Sequence, residues 1–105
     1  MSRAQRQESE RRTWRRQVIG RFEKAPLRLS HESLERLLSD LCVELGYCLP
    51  ALEQQHIISN PPTDPRRFAE LVMQLEGVGS ADAEMFEPVL DRVCRAFLQE
   101  SGSGV

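Results

Sequence analysis

The clearest helical signal in this chain is residues 30–46, which read SHESLERLLSDLCVELG. Its leucines recur at intervals of three and four residues, as on the buried face of an amphipathic helix: Leu34, Leu37, Leu38, Leu41 and Leu45. Ser30 is a favourable N-cap, and Gly46 can adopt the left-handed conformation that ends many helices. The pattern predicts a helix over residues 31–45 with one face in a core.

Similar signals predict helices on both sides of this segment. Before it, apolar residues recur every fourth position from Trp14 to Phe22, which indicates a helix from about Ser9 that ends before Pro26, after a disordered stretch over residues 1–8. After it, a short helix begins near Pro50, and residues 65–76 form another that Gly77 ends.

Pro88 complicates the last segment. A proline inside a helix removes one backbone hydrogen bond and crowds the preceding turn, at a cost of about 3 kcal/mol. We therefore expect a turn over residues 81–86 and a helix that starts near Glu87, with a single kinked helix over residues 81–99 as the alternative. No alternation typical of strands occurs. The sequence predicts an all-α, single-domain bundle of four to six helices with a basic N-terminal helix.

The charge is divided between the two parts of the chain. Residues 1–28 carry nine Lys and Arg against three acids, a net +6, and residues 29–105 carry five Arg against thirteen acids, a net −8. This split predicts a basic arm (residues 1–28), an acidic helical body (residues 29–100) and a flexible tail (residues 101–105). Such asymmetry concerns partners more than fold.

The basic arm contains the candidate site. Its dense cluster on two or three helical turns gives these candidate partner-binding or nucleic-acid-binding residues: Arg11, Arg12, Trp14, Arg15, Arg16 and Phe22. Three interpretations compete. The helix packs on the acidic body or on a second copy of the chain, it binds phosphate backbones through residues 3–24, or it lies on an anionic membrane surface.

The cysteines and histidines carry no recognisable catalytic or metal pattern. Cys42 and Cys94 lie among apolar residues and Cys48 in a tight connection, so we expect reduced structural thiols; redox sensing, oxidative dimerisation and a Cys42–Cys48 bridge are the alternatives. His31 is expected in solvent and His56 half-buried. No catalytic residue, metal ligand or cofactor is predicted. Residues 77–80 are glycine-rich, but a helix end followed by an N-cap explains them without a bound anion.

The middle of the chain resembles a group of small uncharacterised bacterial proteins. The shared pattern runs Leu-Gly-aromatic-Cys-Leu-Pro at residues 45–50, then Pro-Pro-Thr-Asp at residues 61–64, then Phe68 and Glu-Gly at residues 76–77. It covers about two-fifths of the chain and leaves the basic arm outside. The resemblance implies a bacterial helical module and transfers no functional residue.

These observations favour a non-enzymatic protein-interaction module in the cytoplasm, with no secretory leader and no apolar run long enough to cross a membrane. A small acidic inhibitor, immunity or adaptor protein fits this description. Its expected partner is a protein with a basic or amphipathic surface, or a second copy that makes a homodimer. The alternative is a nucleic-acid-binding regulator that uses the Arg-rich helix.

Overall fold

Local capping contacts determine where the central helices begin and end. In a computed structural model, the Ser30 hydroxyl accepts a hydrogen bond from the Ser33 N–H at 3.2 Å, and Gly46 adopts φ 80° at the other end of the same helix. Asp64 caps a later helix by accepting from the Arg67 N–H at 2.9 Å. The caps at Ser30 and Gly46 confirm the helix predicted over residues 31–45.

The structure describes residues 3–77 and 83–102, and the side chains of residues 9–77 and 84–102. Within this part of the chain the helices are α1 (Arg3–Lys24), α2 (His31–Leu45), α3 (Ala51–Ser59), α4 (Pro65–Leu75) and α5 (Ala83–Ser101). The all-α, single-domain bundle is confirmed. Among the described helices, none combines the length and apolar character that a membrane crossing requires.

Helix α5 lies at the centre and packs against α1, α2 and α4. Its buried face presents Val89, Val93 and Phe97 with no exposed surface. The Phe97 ring lies 5.3 Å from that of Phe22 in α1 and meets the Phe68 ring of α4 edge-on at 6.3 Å. Because aromatic pairs at this spacing add to the stability gained by burial, Phe97 connects three helices.

Two expected boundaries were wrong. Helix α1 begins at Arg3 rather than near Ser9, since the residues before Ser9 include no helix breaker and several good helix formers. Helix α5 continues through Pro88, so the expected start near Glu87 is wrong and the alternative of a single helix through the proline is the one observed. The apolar face beyond Pro88 packs in the core, and this burial outweighs the backbone hydrogen bond that the proline cannot donate.

The C-terminal end of α5 also caps α2. Glu100 accepts hydrogen bonds from the Ser30 N–H at 2.9 Å and from the Ser33 hydroxyl at 2.7 Å. A carboxylate at this position stabilises the positive end of the α2 dipole. Ser101, which the sequence assigns to the flexible tail, is the last residue of α5, and residues 103–105 lie outside the described part.

Candidate functional site

Arg15 attaches the basic helix α1 to the rest of the protein. Its side chain is only 6% exposed and contacts α5, where Nη1 donates a hydrogen bond to Asp91 Oδ1 at 2.8 Å. Its Nη2 lies 3.6 Å from Glu87 Oε1. A guanidinium loses much hydration when buried, and carboxylates at this distance compensate for that loss. The arm and the body therefore use part of their opposite charge on each other.

The aromatic candidates of α1 contribute to the same contact. Phe22 is 3% exposed and packs on Phe97, and Trp14 is partly buried against the core. Phe22 and Arg15 are therefore fold-stabilising residues in this structure and present almost no surface to a partner. The helical spacing of Trp14 and Phe22 in the sequence indicated packing against the body, which is one of the three interpretations given above.

The other three candidate arginines face outwards. Arg11, Arg12 and Arg16 are exposed, and Arg12 Nε lies 3.8 Å from Glu87 Oε1. Arg11 and Arg16 form no ion pair within the described part of the chain. At 100° per residue, Arg11 lies on one flank of α1, and Arg12 and Arg16 lie on the other. The structure therefore divides the arginine cluster between two surfaces.

One of these surfaces is a groove of about 520 Å³ between α1, α4 and α5, which we call the docking groove. Its apolar lining comes from Ile19, Phe86 and Leu90. Its charged lining comprises four arginines and two glutamates: Arg12, Arg15, Arg16 and Glu23 from α1, Arg66 from α4, and Glu87 from α5. Sequence analysis did not identify these three apolar residues as part of a site, because Ile19 is far in sequence from Phe86 and Leu90 and because Phe86 fell in an expected turn.

The opposite flank of α1 carries a second groove of about 410 Å³. Arg11 and Trp14 line it from α1, and Asp91 and Arg95 line it from α5. Among the described residues that line this second groove, Trp14 alone is aromatic, and its side chain is partly exposed. This groove is more polar than the docking groove because charged residues supply most of its lining.

The acidic body uses many of its carboxylates internally. Besides Glu87 and Asp91, the pairs are Glu32 with Arg36, Glu44 with Arg92, Asp64 with Arg67, and Glu70 with Arg66. Exposed pairs of this kind contribute little to stability, but each lowers the local negative potential. The net −8 of the body already counts the arginines of these four pairs, so only the ion pairs of Glu87 and Asp91 with α1 reduce the attraction that the body offers to a basic partner.

The cysteines differ from expectation. Cys42 and Cys48 form a disulfide, because the left-handed turn at Gly46 brings their Cα atoms to 4.2 Å. The expectation of three reduced thiols is therefore wrong. Cys94 is a free, fully buried thiol, and burial, reinforced by the nearby charge of Asp91, raises its pKa to about 12. A thiol with such a pKa is almost entirely protonated at neutral pH and is a poor nucleophile.

Both histidines lie in solvent. His31 is exposed as expected and its Nε2 lies 2.8 Å from Glu35 Oε1, whereas His56 is exposed rather than half-buried. Within the residues that the structure describes, no three His, Cys, Asp or Glu side chains gather as metal ligands would. The glycine-rich stretch at residues 77–80 falls outside the described residues apart from Gly77, which adopts φ 76°.

The buried ion pair between Arg15 and Asp91 orients α1. The docking groove, with its apolar lining and charged edges, is the surface available for binding. Comparison of the chain with protein families, with curated proteins and with solved structures found no match. The resemblance to small bacterial helical proteins therefore stays a prediction.

Proposed function

We propose that this chain is a non-enzymatic protein-binding module that takes an acidic amphipathic helix of a partner into the docking groove. The observation that carries the proposal is the composition of that groove, in which Ile19, Phe86 and Leu90 form the apolar lining between arginines. An amphipathic helix presents the complementary pattern of apolar and acidic side chains.

The two kinds of contact have different effects. Burial of apolar surface in the groove supplies most of the affinity, at about 25 cal/mol per Å². Arg16, which has no carboxylate partner among the described residues, orients the partner and raises the association rate by attracting its carboxylates. Arginine suits this position, because its planar guanidinium binds a carboxylate through two parallel hydrogen bonds. The roles of inhibitor, immunity protein or adaptor are all compatible with this mode of binding.

The partner in this proposal is acidic on one side, which differs from the basic partner that the charge of the body suggests. The reason is that the body carboxylates next to the groove, Glu87 and Asp91, pair with Arg15 of α1. By contrast, Arg16 lines the docking groove without a carboxylate partner among the described residues. Arg16 therefore favours a carboxylate of the partner at this edge of the groove, with Glu23 as the acidic residue of the lining that opposes it.

Nucleic-acid binding through α1 is the alternative. It has less support, because Trp14 packs partly on the core and Arg15 is occupied by Asp91. Arg11, Arg12 and Arg16 remain exposed for phosphates. Binding to a phosphate backbone depends on total positive charge, so loss of Arg11 or of Arg16 would weaken it equally. Docking of a helix in the groove depends on Arg16 and not on Arg11.

The cellular location of the protein and its oligomeric state are further parts of this proposal. Thiols in the cytoplasm are normally kept reduced, so the Cys42–Cys48 disulfide argues against a cytoplasmic location. A homodimer is the outcome in which the occupant of the groove is a second copy of the chain. The mass of the protein in solution, before and after mutation of the groove, distinguishes that outcome from a separate partner.

A peptide selection tests the proposal. Random peptides of about 16 residues, long enough for four helical turns, are selected on the immobilised full chain with its disulfide intact. We expect enriched peptides with apolar residues at helical spacing and acidic flanks. Their binding should fall on Arg16→Glu and Phe86→Ala variants and persist on Arg11→Glu. No enrichment, enrichment of basic peptides, or equal loss on Arg11→Glu would overturn it.

A further inference from the structure

A third groove, separate from the docking groove, lies between α2 and α5 and has a volume of about 220 Å³. Each helix contributes residues at positions i, i+3, i+4 and i+7, the spacing of one helical face: Ser33, Arg36, Leu37 and Asp40 from α2, and Arg92, Arg95, Ala96 and Gln99 from α5. Leu37 and Ala96 are its apolar residues. The remaining lining is polar, with three arginines against one carboxylate.

The three arginines are available to different degrees. Arg36 pairs with Glu32 at 3.3 Å, but both side chains are largely exposed, so the pair exchanges readily with another anion. Arg92 pairs with Glu44. Arg95 is exposed and makes no hydrogen bond or ion pair with any other residue that the structure describes. Among the lining residues three arginines therefore face one carboxylate, while Glu32 and Glu44 compensate Arg36 and Arg92 from outside the lining.

We propose that this groove binds a small phosphate monoester that carries an ammonium or hydroxyl group near its phosphate. Arg36, Arg92 and Arg95 provide the planar, multiple donors that suit phosphate oxygens, and Gln99 adds an amide. The volume of about 220 Å³ lies below the roughly 300–1,000 Å³ of drug-sized sites, so only a compact ligand fits.

Asp40 determines that the ligand carries an ammonium or hydroxyl group beside its phosphate. Its carboxylate lines the same groove and repels an unsubstituted phosphate. A ligand with a neighbouring ammonium or hydroxyl group turns this repulsion into a hydrogen bond or ion pair. The groove should therefore prefer phosphoethanolamine to inorganic phosphate, and Asp40 is the residue that creates the preference.

The test is calorimetric titration of the full chain with phosphoethanolamine and, separately, with inorganic phosphate. Arg95→Gln should weaken phosphoethanolamine binding by about tenfold, the effect of losing one charge-assisted hydrogen bond. The control Arg28→Gln changes an exposed arginine outside the groove and should leave binding within about twofold of the wild type. Asp40→Asn should reduce the preference for phosphoethanolamine and improve binding of inorganic phosphate.

Vesicles that contain lysophosphatidic acid, a phosphate monoester with a free hydroxyl group on its glycerol, separate the two sources of such a ligand. Binding to the soluble ester that depends on Arg95 supports a metabolite-like ligand, and binding to vesicles that depends on Arg95 supports a lipid headgroup. Absence of Arg95-dependent binding to either probe overturns the proposal. Equal loss in Arg95→Gln and Arg28→Gln also overturns it, because a diffuse charge effect then explains the binding. Melting temperatures of the variants show that each is folded.

Discussion

Arg15 of α1 and Asp91 of α5 form a hydrogen-bonded ion pair at 2.8 Å although they lie 76 residues apart in the sequence. The pair joins the basic N-terminal helix to the acidic helix at the centre of the bundle. It also separates the two flanks of α1, with Arg11 on one side and Arg16 on the other. The position of the docking groove therefore depends on this contact.

The first prediction concerns the stability that this pair provides. Arg15→Ala leaves two carboxylates, Glu87 and Asp91, without their buried partner and should lower the free energy of unfolding by about 2 kcal/mol. Arg16→Ala is the matched control on the same helix, and because Arg16 is exposed it should cost less than about 0.5 kcal/mol. Urea unfolding measures both.

A double-mutant cycle with Asp91→Ala isolates the interaction between the two side chains. We expect a coupling free energy of about 1 kcal/mol or more, because neighbouring groups in one ion pair are not additive. Equal destabilisation by Arg15→Ala and Arg16→Ala, or a coupling energy near zero, would mean that α1 is held by its apolar contacts alone.

The second prediction concerns Phe97, whose ring contacts both Phe22 and Phe68. Phe97→Leu keeps an apolar side chain but removes two aromatic contacts and some volume. It should lower the free energy of unfolding by about 1–3 kcal/mol. Leu52→Ala changes a side chain that is 86% exposed and should have almost no effect. Similar unfolding midpoints for the two variants would contradict the arrangement of the core.

The third prediction concerns the number of reactive thiols. The native protein should show none, because Cys42 and Cys48 are bridged and Cys94 is buried. Unfolding without reductant should expose one, and unfolding with reductant should expose three. A thiol-reactive dye measures each number. One or more thiols that react quickly in the native protein would contradict the bridge or the burial of Cys94.

The raised pKa of Cys94 adds a dependence on pH. Since its pKa in the folded protein is about 12 and its ordinary value is 9.0, folding favours the protonated thiol. This stabilising contribution is complete below pH 9.0 and is lost as pH rises towards about 12. Cys94→Ala should therefore unfold with a weaker dependence on pH over this alkaline range, as urea titrations at several pH values can measure.

The fourth prediction concerns the cap that Glu100 provides to α2. The hydrogen bond from the Ser33 hydroxyl, and then that from the Ser30 N–H, hold the pKa of Glu100 below its ordinary value of 4.5. Its stabilising contribution is therefore present above pH 4.5 and is lost as pH falls through the lowered pKa.

Glu100→Gln removes the charge and should cost about 1 kcal/mol at neutral pH. The difference from the wild type should shrink as pH falls from 4.5 through the lowered pKa of Glu100, because the wild-type carboxyl then takes up a proton. Glu35→Gln is the control, since Glu35 is exposed and pairs only with His31 among the described residues. A Glu100→Gln effect that stays constant from neutral to acidic pH would contradict the role of the charge.

The sequence predicted those parts of the fold that depend on neighbouring residues. The ends of α2 follow from Ser30 and Gly46, and the start of α4 follows from Asp64, because caps are local. The helix break at Pro88 was predicted wrongly, since the cost of a proline is local but the packing of Val93 and Phe97 that outweighs it is not.

The candidate site was predicted only in part. The arginine cluster was visible in the sequence, but the burial of Arg15 and the exposure of Arg16 depend on how α1 sits against α5. The apolar lining from Ile19 and Phe86 brings together residues 67 positions apart, which no local pattern signals. The Cys42–Cys48 disulfide was only an alternative prediction from the sequence, which favoured reduced thiols because a short chain with three cysteines is not a disulfide framework.

The central claim is that the docking groove, and not the general positive charge of α1, binds an acidic amphipathic helix. The most direct measurement is the affinity of a selected peptide for the wild type, Arg16→Glu and Arg11→Glu, by fluorescence anisotropy. We predict a loss of about tenfold or more for Arg16→Glu and less than about twofold for Arg11→Glu. Equal losses in the two variants, or no loss in Arg16→Glu, would contradict the claim.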